Sequence, residues 1–194
     1  MAIEIIEIKS NRLAEYGKIP IRFRVASVFQ IKLIENGLGG MTLHEEEVIT
    51  PYIKDYDSYE EEGPERWLKR FNTHNWTFFL ALDGDRPVGG ATVAFDTPNV
   101  NMLDGRKDLA VLWDIRVHPD FRHQGVGTKL FKQVVEWSKQ KGCKHLKIET
   151  QNINVPACRF YAKQGCKLGA MDRYGYYGHP KVGYEVMMLW YLEL

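Results

Sequence analysis

The feature of this sequence that most restricts its fold is a strand followed by a glycine-containing loop and an amphipathic helix. The strand is predicted over 109–118, where the run "LAVLWDIRV" is rich in branched apolar residues and is followed by His and Pro119. The helix is predicted over 126–141, because its apolar residues recur on one face. Gly125 and Gly127 stand where this helix must begin. The chain is therefore expected to pass from a strand, through a short loop, into a helix amino terminus.

The amino terminus of this predicted helix has the composition of an anion-binding site. The first amide groups of an α-helix have no intrahelical acceptor, and the helix dipole favours negative charge at that end. Glycine at 125 and 127 removes the Cβ atoms that would keep a phosphate away from those amides. Arg122 is placed where its guanidinium could complete the cradle, and the first turn contains no Asp or Glu. Phosphate binding is predicted here, with glycines selected only for tight packing as the alternative.

Two common phosphate motifs do not fit these glycines. A Walker loop needs Lys directly after its second glycine, whereas Gly127 is followed by Thr128 and then Lys129. A dinucleotide fingerprint needs a third small residue where Leu130 stands, and it needs its glycines directly after the strand. The pattern that remains is RxxGxG, from Arg122 to Gly127, which is weak evidence by itself.

Length and composition predict one globular domain over 1–194. Of the 194 residues, 44% are hydrophobic and 12% aromatic, which allows a substantial core without disulfides. The three cysteines form no CxxC pair and the six histidines are scattered, so neither a disulfide framework nor a metal site is expected. The first residues do not resemble a signal sequence, and no run reaches the roughly 18 apolar residues of a membrane span. We expect a soluble cytoplasmic protein with no membrane partner.

Strands and helices alternate in a way that predicts an α/β protein of the α+β type. Branched and aromatic runs predict strands at 2–8, 21–34, 76–83, 86–97, 109–118, 143–151, 166–177 and 183–194. Helices are predicted at 64–72, 126–141 and 155–164. The segments "DGDRP" and "ENGLGG" are predicted hairpin turns. Hairpins followed by strand, helix, strand and helix indicate a mixed sheet with helices on its faces.

Charge is distributed unevenly along the chain. Residues 44–65 contain nine acids (Glu45, Glu46, Glu47, Asp55, Asp57, Glu60, Glu61, Glu62 and Glu65) and one base, Lys54. Residues 115–147 contain eight Lys and Arg but only two acids. Such a chain could hold a cationic ligand at one end and an anionic one at the other, or could simply have an uneven solvated surface. The acidic half disfavours a nucleic-acid partner.

A second motif follows the first at short distance. In "NVPACRFYAKQGC", residues 154–166, Pro156 suits a first helical turn and Gly165 suits a helix end. Tyr161 shares a helical face with Ala157 and Cys158. The two motifs with the strand between them resemble the central motifs of the GNAT family, the acetyl-CoA-dependent N-acetyltransferases, over roughly residues 109–168.

This resemblance implies a fold, a cofactor and a role for each matching residue. The implied fold is a mixed, mostly antiparallel sheet of about seven strands flanked by helices, and the cofactor is acetyl-CoA, with coenzyme A as product. Pantetheine would meet the strand backbone and the second helix at Ile115, Arg116, Val117, Asn154 and Ala157. The pyrophosphate would be wrapped by Arg122, His123, Gln124, Gly125, Val126, Gly127 and Thr128. Tyr161 would stand beside the thioester sulfur as a general acid.

Acetyl transfer to an amine also requires a proton acceptor. An amine with a pKa of ~10.4 is neutral in about one part in a few thousand at pH 7, so deprotonation costs roughly 4–5 kcal/mol. Asp114 is predicted to project among apolar neighbours, where burial would raise its pKa and it would act through water. Glu149, on the next strand, is the second candidate. Asp114 could instead anchor a substrate cation, and Glu149 could be a solvated charge. Tyr161, with an unperturbed pKa near ~10, would stay protonated and could donate to the departing thiolate.

The acceptor side shows a second resemblance, which spans most of the chain. The segments "GLGGMTLHEEEVITPYIKDYD", "WDIRV", "ETQNINVPA" and "LGAMDRYGYYG" look like the streptothricin acetyltransferases of the same family. The resemblance implies a small cationic amine substrate, acetylated on a β-lysine amine. Alternatives are a polyamine, an amino sugar, a protein amine, or a non-catalytic acetyl-CoA sensor. The aromatic cluster "DRYGYYG" is expected at a sheet edge or as a lid over the acceptor, and a homodimer is one candidate assembly.

Overall fold

The computed structural model describes residues 3–59 and 63–194 of the chain. Contacts between residues divide the chain into two compact units. Unit 1 comprises Met1–Arg22, Asp55–Ile148 and Tyr191–Leu194, and unit 2 comprises Phe23–Lys54 and Glu149–Trp190. The single domain over 1–194 stays a prediction.

The described residues form nine strands and four α-helices, with six three-residue 3₁₀ helices between them. The strands are β1 (Glu4–Ile8), β2 (Phe23–Leu33), β3 (Met41–Lys54), β4 (Thr77–Asp83), β5 (Arg86–Phe95), β6 (Leu109–Val117), β7 (His145–Gln151), β8 (Lys167–Asp172) and β9 (Met187–Glu193). The helices are α1 (Leu13–Tyr16), α2 (Pro64–Arg70), α3 (Val126–Gln140) and α4 (Val155–Lys163).

The main sheet has seven strands in the order β1, β4, β5, β6, β7, β9, β8, while β2 pairs with β3 in a separate two-stranded sheet. The successive pairs from β1 to β6 are antiparallel, and β6 pairs with β7 in parallel. A parallel pair needs a crossover, and α3 supplies it between β6 and β7. The fold class expected from the sequence, a mixed and mostly antiparallel sheet flanked by helices, is confirmed.

In unit 1, close packing on β5 depends on two adjacent glycines. A Cβ at Gly89 would lie 3.0 Å from side-chain atoms of both Val126 and Leu130, so glycine lets α3 approach the strand. A Cβ at Gly90 would lie 2.4 Å from the ring of Tyr16. The core on the Tyr16 side contains an aromatic cluster of Tyr16, Trp67, Trp76 and Phe78, with Phe71 and Trp113 packed against it.

The helix α3 begins and ends close to the predicted bounds. Its apolar residues are buried at Val126, Leu130, Phe131, Val134 and Trp137, as the periodicity of the sequence predicts. The predicted turn "DGDRP" connects β4 to β5, and Gly84 there has a φ of +60°. No helix in the described part of the chain has both the length and the hydropathy needed to cross a membrane.

In unit 2, β2 and β3 form a long hairpin around the predicted turn "ENGLGG". The amide of Ile34 donates to the carbonyl of Gly40 at 3.0 Å, and Gly37 and Gly40 both have positive φ. The strand β3 was not among the predicted strands, and "LHEEEV", which the sequence suggests as a charged strand end, lies inside it. The reason is a bulge: four residues of β3, 48–51, lie opposite Ala26, and most of the strand is exposed. Both the bulge and the exposure remove the alternation of apolar and polar residues from which a half-buried strand is predicted.

The other differences from the predicted elements are local. The helix α1 has only four residues, too few for a periodic signal. The strand predicted over 166–177 ends at Asp172, because the Asp172 carboxylate accepts a 2.8 Å hydrogen bond from the amide of Tyr174 and starts a turn. The strand predicted from residue 183 begins at Met187. Glu60, Glu61 and Glu62, three of the nine acids counted in the sequence, lie outside the described residues.

Candidate active site

The end of β6 leaves part of its backbone outside the sheet ladder on one side. Its pairing with β7 runs from Leu109 opposite His145 to Leu112 opposite Ile148. A bulge at Trp113 then shifts the register of β6 against β5. No β7 partner is recorded for residues 115–117 within the described chain. An extended thioester arm needs a strand edge without a neighbouring strand, so the end of β7 pairing before residue 115 is compatible with the predicted contacts to the backbone of 115–117.

The loop between β6 and α3 ends in an open helix terminus. His123 has a φ of +61°, and Gly125, directly before α3, has a φ of +83°. This left-handed conformation favours glycine, and a Cβ placed on Gly125 would meet no atom within 4 Å. The first turn of α3 contains no acidic residue. The helix terminus is therefore spacious and electropositive, which fits a phosphate group of acetyl-CoA.

Arg122 makes contacts that its sequence position does not reveal. Its Nε donates to the carbonyl of Val117 at 3.0 Å, and its Nη2 donates to the carbonyl of Arg22 at 2.7 Å. The guanidinium thus connects the loop to the end of β6 and to the segment before β2. Burial and the nearby charge of Arg22 lower the pKa of Arg122 below its usual value. The carbonyl of Val117, a predicted pantetheine contact, is an acceptor for Arg122.

The prediction that Asp114 projects among apolar neighbours is wrong. Asp114 is buried, but its neighbours are polar: Tyr16 donates its hydroxyl to Oδ1 at 2.5 Å, and Arg116 donates from Nε and Nη2 at 3.0 and 2.8 Å. The sequence correctly places Asp114 and Arg116 on one face of β6. It did not reveal that the arginine would turn back onto the carboxylate, or that Tyr16 would reach it from 98 residues away.

Arg116 is the centre of this buried cluster. Its Nη1 also donates to the carbonyl of Ile19 at 3.1 Å and to Asp57 at 2.9 Å. Burial by itself would lower the pKa of Arg116, but the carboxylates of Asp114 and Asp57 raise it above its usual value. Burial raises the pKa of Asp57 despite that arginine. The Arg116 side chain is committed to these partners, so its predicted cofactor contact can involve only its backbone.

Burial also fixes the protonation of Tyr16. Desolvation, and then the negative charge of Asp114, raise the pKa of this phenol well above its usual value. Tyr16 therefore donates its proton to Asp114 across the physiological pH range. Tyr16, Asp114 and Arg116 thus form a buried hydrogen-bonded cluster in unit 1, which continues through Arg116 to Asp57.

In unit 2, the predicted site residues Asn154 and Ala157 lie at the start of α4, and Tyr161 lies in its last turn. Asn154 precedes α4 as its cap: Oδ1 accepts from the amide of Ala157 at 3.2 Å. Pro156 lies in the first turn and Gly165 has a φ of +90° after the helix, both as predicted. Tyr161 is 4% exposed, on the buried face of α4 that also contains Cys158. The Asn154 amide oxygen is engaged within the helix, which leaves its amide nitrogen as the group that could contact pantetheine.

Glu149 has partners that the sequence analysis did not identify. The hydroxyl of Tyr176 donates to Glu149 Oε1 at 2.5 Å, and Gln151 Nε2 donates to the Tyr176 oxygen at 2.7 Å. Tyr176 lies in the turn after β8 and is half-buried, unlike its exposed neighbours Tyr174 and Tyr177. The sequence shows the aromatic cluster "DRYGYYG", but no local signal in it distinguishes Tyr176 from Tyr174 and Tyr177. Glu149 is therefore held by hydrogen bonds and is not a freely solvated charge.

A buried ion pair in unit 2 was also missed. Lys54 at the end of β3 contacts Glu185, in the loop before β9, and both side chains are almost fully buried. Burial raises the pKa of Glu185, while the hydrogen bond and charge of Lys54 act in the opposite direction. The pair connects the hairpin to the loop "GHPKVGYEV", and nothing in the spacing of two charges 131 residues apart predicts it.

Comparison with known proteins agrees with this architecture, which is that of an acyl-CoA-dependent transferase. The chain belongs to the Acetyltransferase (GNAT) family, whose sequence profile matches residues 42–166. It is similar to streptothricin acetyltransferase A of Bacillus subtilis (strain 168), with 32% identity over 170 residues, 84% of each chain. It is also similar to the streptothricin acetyltransferase of Escherichia coli, with 28% identity over 187 residues, 96% of this chain and 94% of that protein.

Solved structures give the same result. A protein assigned to the streptothricin acetyltransferases from Bacillus anthracis str. Ames, in complex with acetyl coenzyme A, superimposes with a TM-score of 0.75 and 28% identity. The match covers 100% of this chain and 98% of that one. The chain is thus an N-acetyltransferase, and acetyl-CoA is its acetyl donor.

Proposed function

We propose that this enzyme acetylates a primary amine of a small cationic acceptor of the streptothricin type, on its β-lysine amine. The observation that carries the proposal is the similarity to streptothricin acetyltransferases over most of the chain, with 32% identity over 84% of it in one relative and 28% identity over 96% of it in another. Matches of this extent include the residues outside the two acetyl-CoA motifs, where acceptor specificity is expected to lie.

In this proposal acetyl-CoA supplies an activated acetyl thioester, and the protein positions it. The open end of α3 receives the pyrophosphate, and the edge of β6 at 115–117 receives the pantetheine. Tyr161, which is buried and therefore sheltered from exchange with bulk water, donates a proton to the departing thiolate.

Glu149 is the proposed group for the acceptor amine. Asp114 is committed to Arg116 and Tyr16, so of the two carboxylates considered it is the less available for proton transfer. Tyr176 and Gln151 fix one oxygen of Glu149. A carboxylate held in this way would bind the ammonium form of the amine and, through a water molecule, accept the proton that it must lose.

The acidic surface supports a cationic acceptor less strongly than its charge count suggests. On β3, Glu45 accepts a hydrogen bond from Ser27 and forms an ion pair with Arg159, and Glu46 contacts Lys32 at 3.7 Å. These bases neutralise part of the acidic excess within unit 2. We therefore expect kcat/KM for a polycation to fall as salt rises, but by less than tenfold between about 0.05 and 0.5 M.

The deciding experiment is a competition among amine acceptors with acetyl-CoA. Release of coenzyme A would be measured with streptothricin, spermidine, an aminoglycoside and a peptide with a free amino terminus. We expect kcat/KM for streptothricin to exceed that of the others by about 10²-fold or more. Mass spectrometry of the product should place the acetyl group on the β-lysine amine, and expression should protect a streptothricin-sensitive host. Equal turnover of spermidine, or no protection, would exclude the streptothricin assignment.

The same assay separates an enzyme from an acetyl-CoA sensor. A sensor would bind acetyl-CoA in titration calorimetry but release no thiol above the background with any of the four acceptors. That combination would leave the fold and the cofactor intact and reject catalysis.

A further inference from the structure

Arg22 and Arg122 lie next to each other in unit 1, although 100 residues separate them in the chain. The contact runs through the backbone of Arg22, whose carbonyl accepts from Arg122 Nη2 at 2.7 Å. Arg22 belongs to neither acetyl-CoA motif, and the sequence gives no reason to associate it with the RxxGxG loop. The fold brings a second arginine to the loop that leads into α3.

Neither arginine has a carboxylate partner among the described residues. Across residues 3–59 and 63–194, no ion pair is formed by Arg22 or Arg122. Asp120, the acid within the same loop, lies near Arg86 and His118 instead. Burial and, second to it, the charge of Arg22 lower the pKa of Arg122, which is consistent with the backbone contact between the two residues. Together with the positive end of α3, they form a region of positive charge that no carboxylate of the described segments pairs with.

The guanidinium of Arg122 is partly used for structure. Two of its nitrogens donate to the carbonyls of Val117 and Arg22, so this side chain holds the loop against the end of β6. The side chain of Arg22 is exposed, and its guanidinium makes no hydrogen bond within the described residues. It is the arginine that remains available for a ligand anion.

We propose that Arg22 is a phosphate-binding residue of the acetyl-CoA site. Its guanidinium would contact a phosphate group at the end of α3, while its carbonyl positions Arg122. The proposal rests on the assignment of this helix terminus to acetyl-CoA. The phosphate chemistry is shared by the pyrophosphate and by the 3′-phosphate of the adenosine, and the test distinguishes them.

The test is titration calorimetry of the full chain with Arg22→Gln, which removes the charge and keeps the carbonyl that Arg122 uses. Coenzyme A should bind the variant about 5- to 20-fold more weakly than it binds the wild type, and the difference should shrink in high salt. The Tm of the variant without ligand should equal that of the wild type or be slightly higher, because the repulsion between Arg22 and Arg122 is removed. The rise in Tm on adding coenzyme A should become smaller.

Arg24→Gln is the matched control, since Arg24 is also exposed and lies two residues further along the chain. It should bind coenzyme A like the wild type. Titration with 3′-dephospho-coenzyme A locates the contact: the effect of Arg22→Gln persists if Arg22 meets the pyrophosphate and disappears if it meets the 3′-phosphate. Arg22→Lys, which keeps the charge, should recover part of the affinity.

Two outcomes would overturn the proposal. One is wild-type affinity of Arg22→Gln for coenzyme A, and the other is an equal loss in Arg24→Gln, which would indicate a general charge effect. If the wild type itself binds no coenzyme A, the assignment of the α3 terminus fails, and this result is distinct from a failure of Arg22 alone.

Discussion

Asp114 and Arg116 form a two-point ion pair within one strand, with Nε 3.0 Å from Oδ1 and Nη2 2.8 Å from Oδ2. Both side chains are buried, and the hydroxyl of Tyr16 donates to the same carboxylate. A carboxylate with three such donors stabilises β6, the strand to which the pantetheine contacts are assigned in the proposal. This relationship changes the expectation for Asp114 from a proton acceptor to a residue that holds β6 in place.

Asp114→Asn tests whether Asp114 stabilises β6 and is not the proton acceptor. We expect a loss of about 3 kcal/mol of unfolding free energy, because Arg116 would keep only the partly exposed Asp57 as a carboxylate partner. Urea unfolding followed by tryptophan fluorescence would measure it. The kcat, taken where the variant is folded, should fall less than about 10-fold. A fall of 10²-fold or more in the folded variant would restore Asp114 as the base.

Tyr16→Phe is the milder companion variant. It removes one donor to a charged acceptor and keeps the ring, so we expect a loss of about 1.5 kcal/mol with kcat unchanged. A loss as large as that of Asp114→Asn would mean that the phenol, and not the arginine, dominates the cluster.

Gly125→Val is expected to weaken acetyl-CoA binding by about 10-fold or more, because its side chain would occupy the space at the end of α3. The φ of +83° also makes any β-branched residue unfavourable, at a cost of about 1–3 kcal/mol. Gly142→Val is the matched control: Gly142 follows α3, has a φ of +77°, and likewise has open space around a Cβ. Calorimetry should show a loss of affinity in Gly125→Val alone, with similar destabilisation in both. Equal affinities would mean that the glycine serves only the backbone turn.

Tyr161→Phe keeps the buried ring and removes only the proton donor. We expect kcat to fall by about 10²-fold or more, with the Kd of acetyl-CoA unchanged. Tyr177→Phe, at an 84% exposed position, is the control and should have no effect. An unchanged kcat for Tyr161→Phe between about pH 6 and 9 would show that the thiolate leaves without this proton.

Cys158 should make stability fall at alkaline pH. Burial raises the pKa of its thiol from the usual value of 9.0 to about 11. Between those values the unfolded state loses the proton and the folded state keeps it, so stability is full below pH 9 and decreases as pH rises towards 11. The loss of stability between pH 8 and pH 10 is about 1.3 kcal/mol. Unfolding free energies of the wild type and Cys158→Ala, measured at pH 8 and pH 10, should converge by about that amount. A constant difference would contradict the burial argument.

The buried pair of Lys54 and Glu185 should show strong coupling. Glu185→Gln removes the negative charge beside the buried ammonium of Lys54, and we expect a loss of about 3–5 kcal/mol of unfolding free energy. The double variant Lys54→Met with Glu185→Leu removes both charges at similar volume and should be within about 1 kcal/mol of the wild type. A double-mutant cycle in urea measures the coupling. Additive losses would indicate that the two residues act independently.

Elements with strong local signals were correctly predicted, and elements without them were missed. The amphipathic period fixed α3 to within one residue at its carboxyl end, and Pro156 and Gly165 marked the two ends of α4. The strand β3 was missed because its bulge and exposure erase the alternating pattern. The strand β8 was predicted too long because β-branched and aromatic composition does not reveal a turn that an aspartate initiates.

By itself the sequence determined the family, the two acetyl-CoA motifs and the helix terminus at Gly125, since backbone dihedrals and hydrogen bonds between near neighbours govern them. Only the tertiary structure decided which groups neutralise or position the candidate site residues. Tyr16 reaches Asp114 across 98 residues, Tyr176 reaches Glu149 across 27, and Arg22 lies against Arg122 across 100. These contacts depend on how the chain packs. Closing a long loop costs little more free energy than closing a short one, so the separation of two residues in the sequence does not restrict whether they meet. Sequence spacing therefore carries no information about them, although they determine the charge and orientation of each candidate side chain.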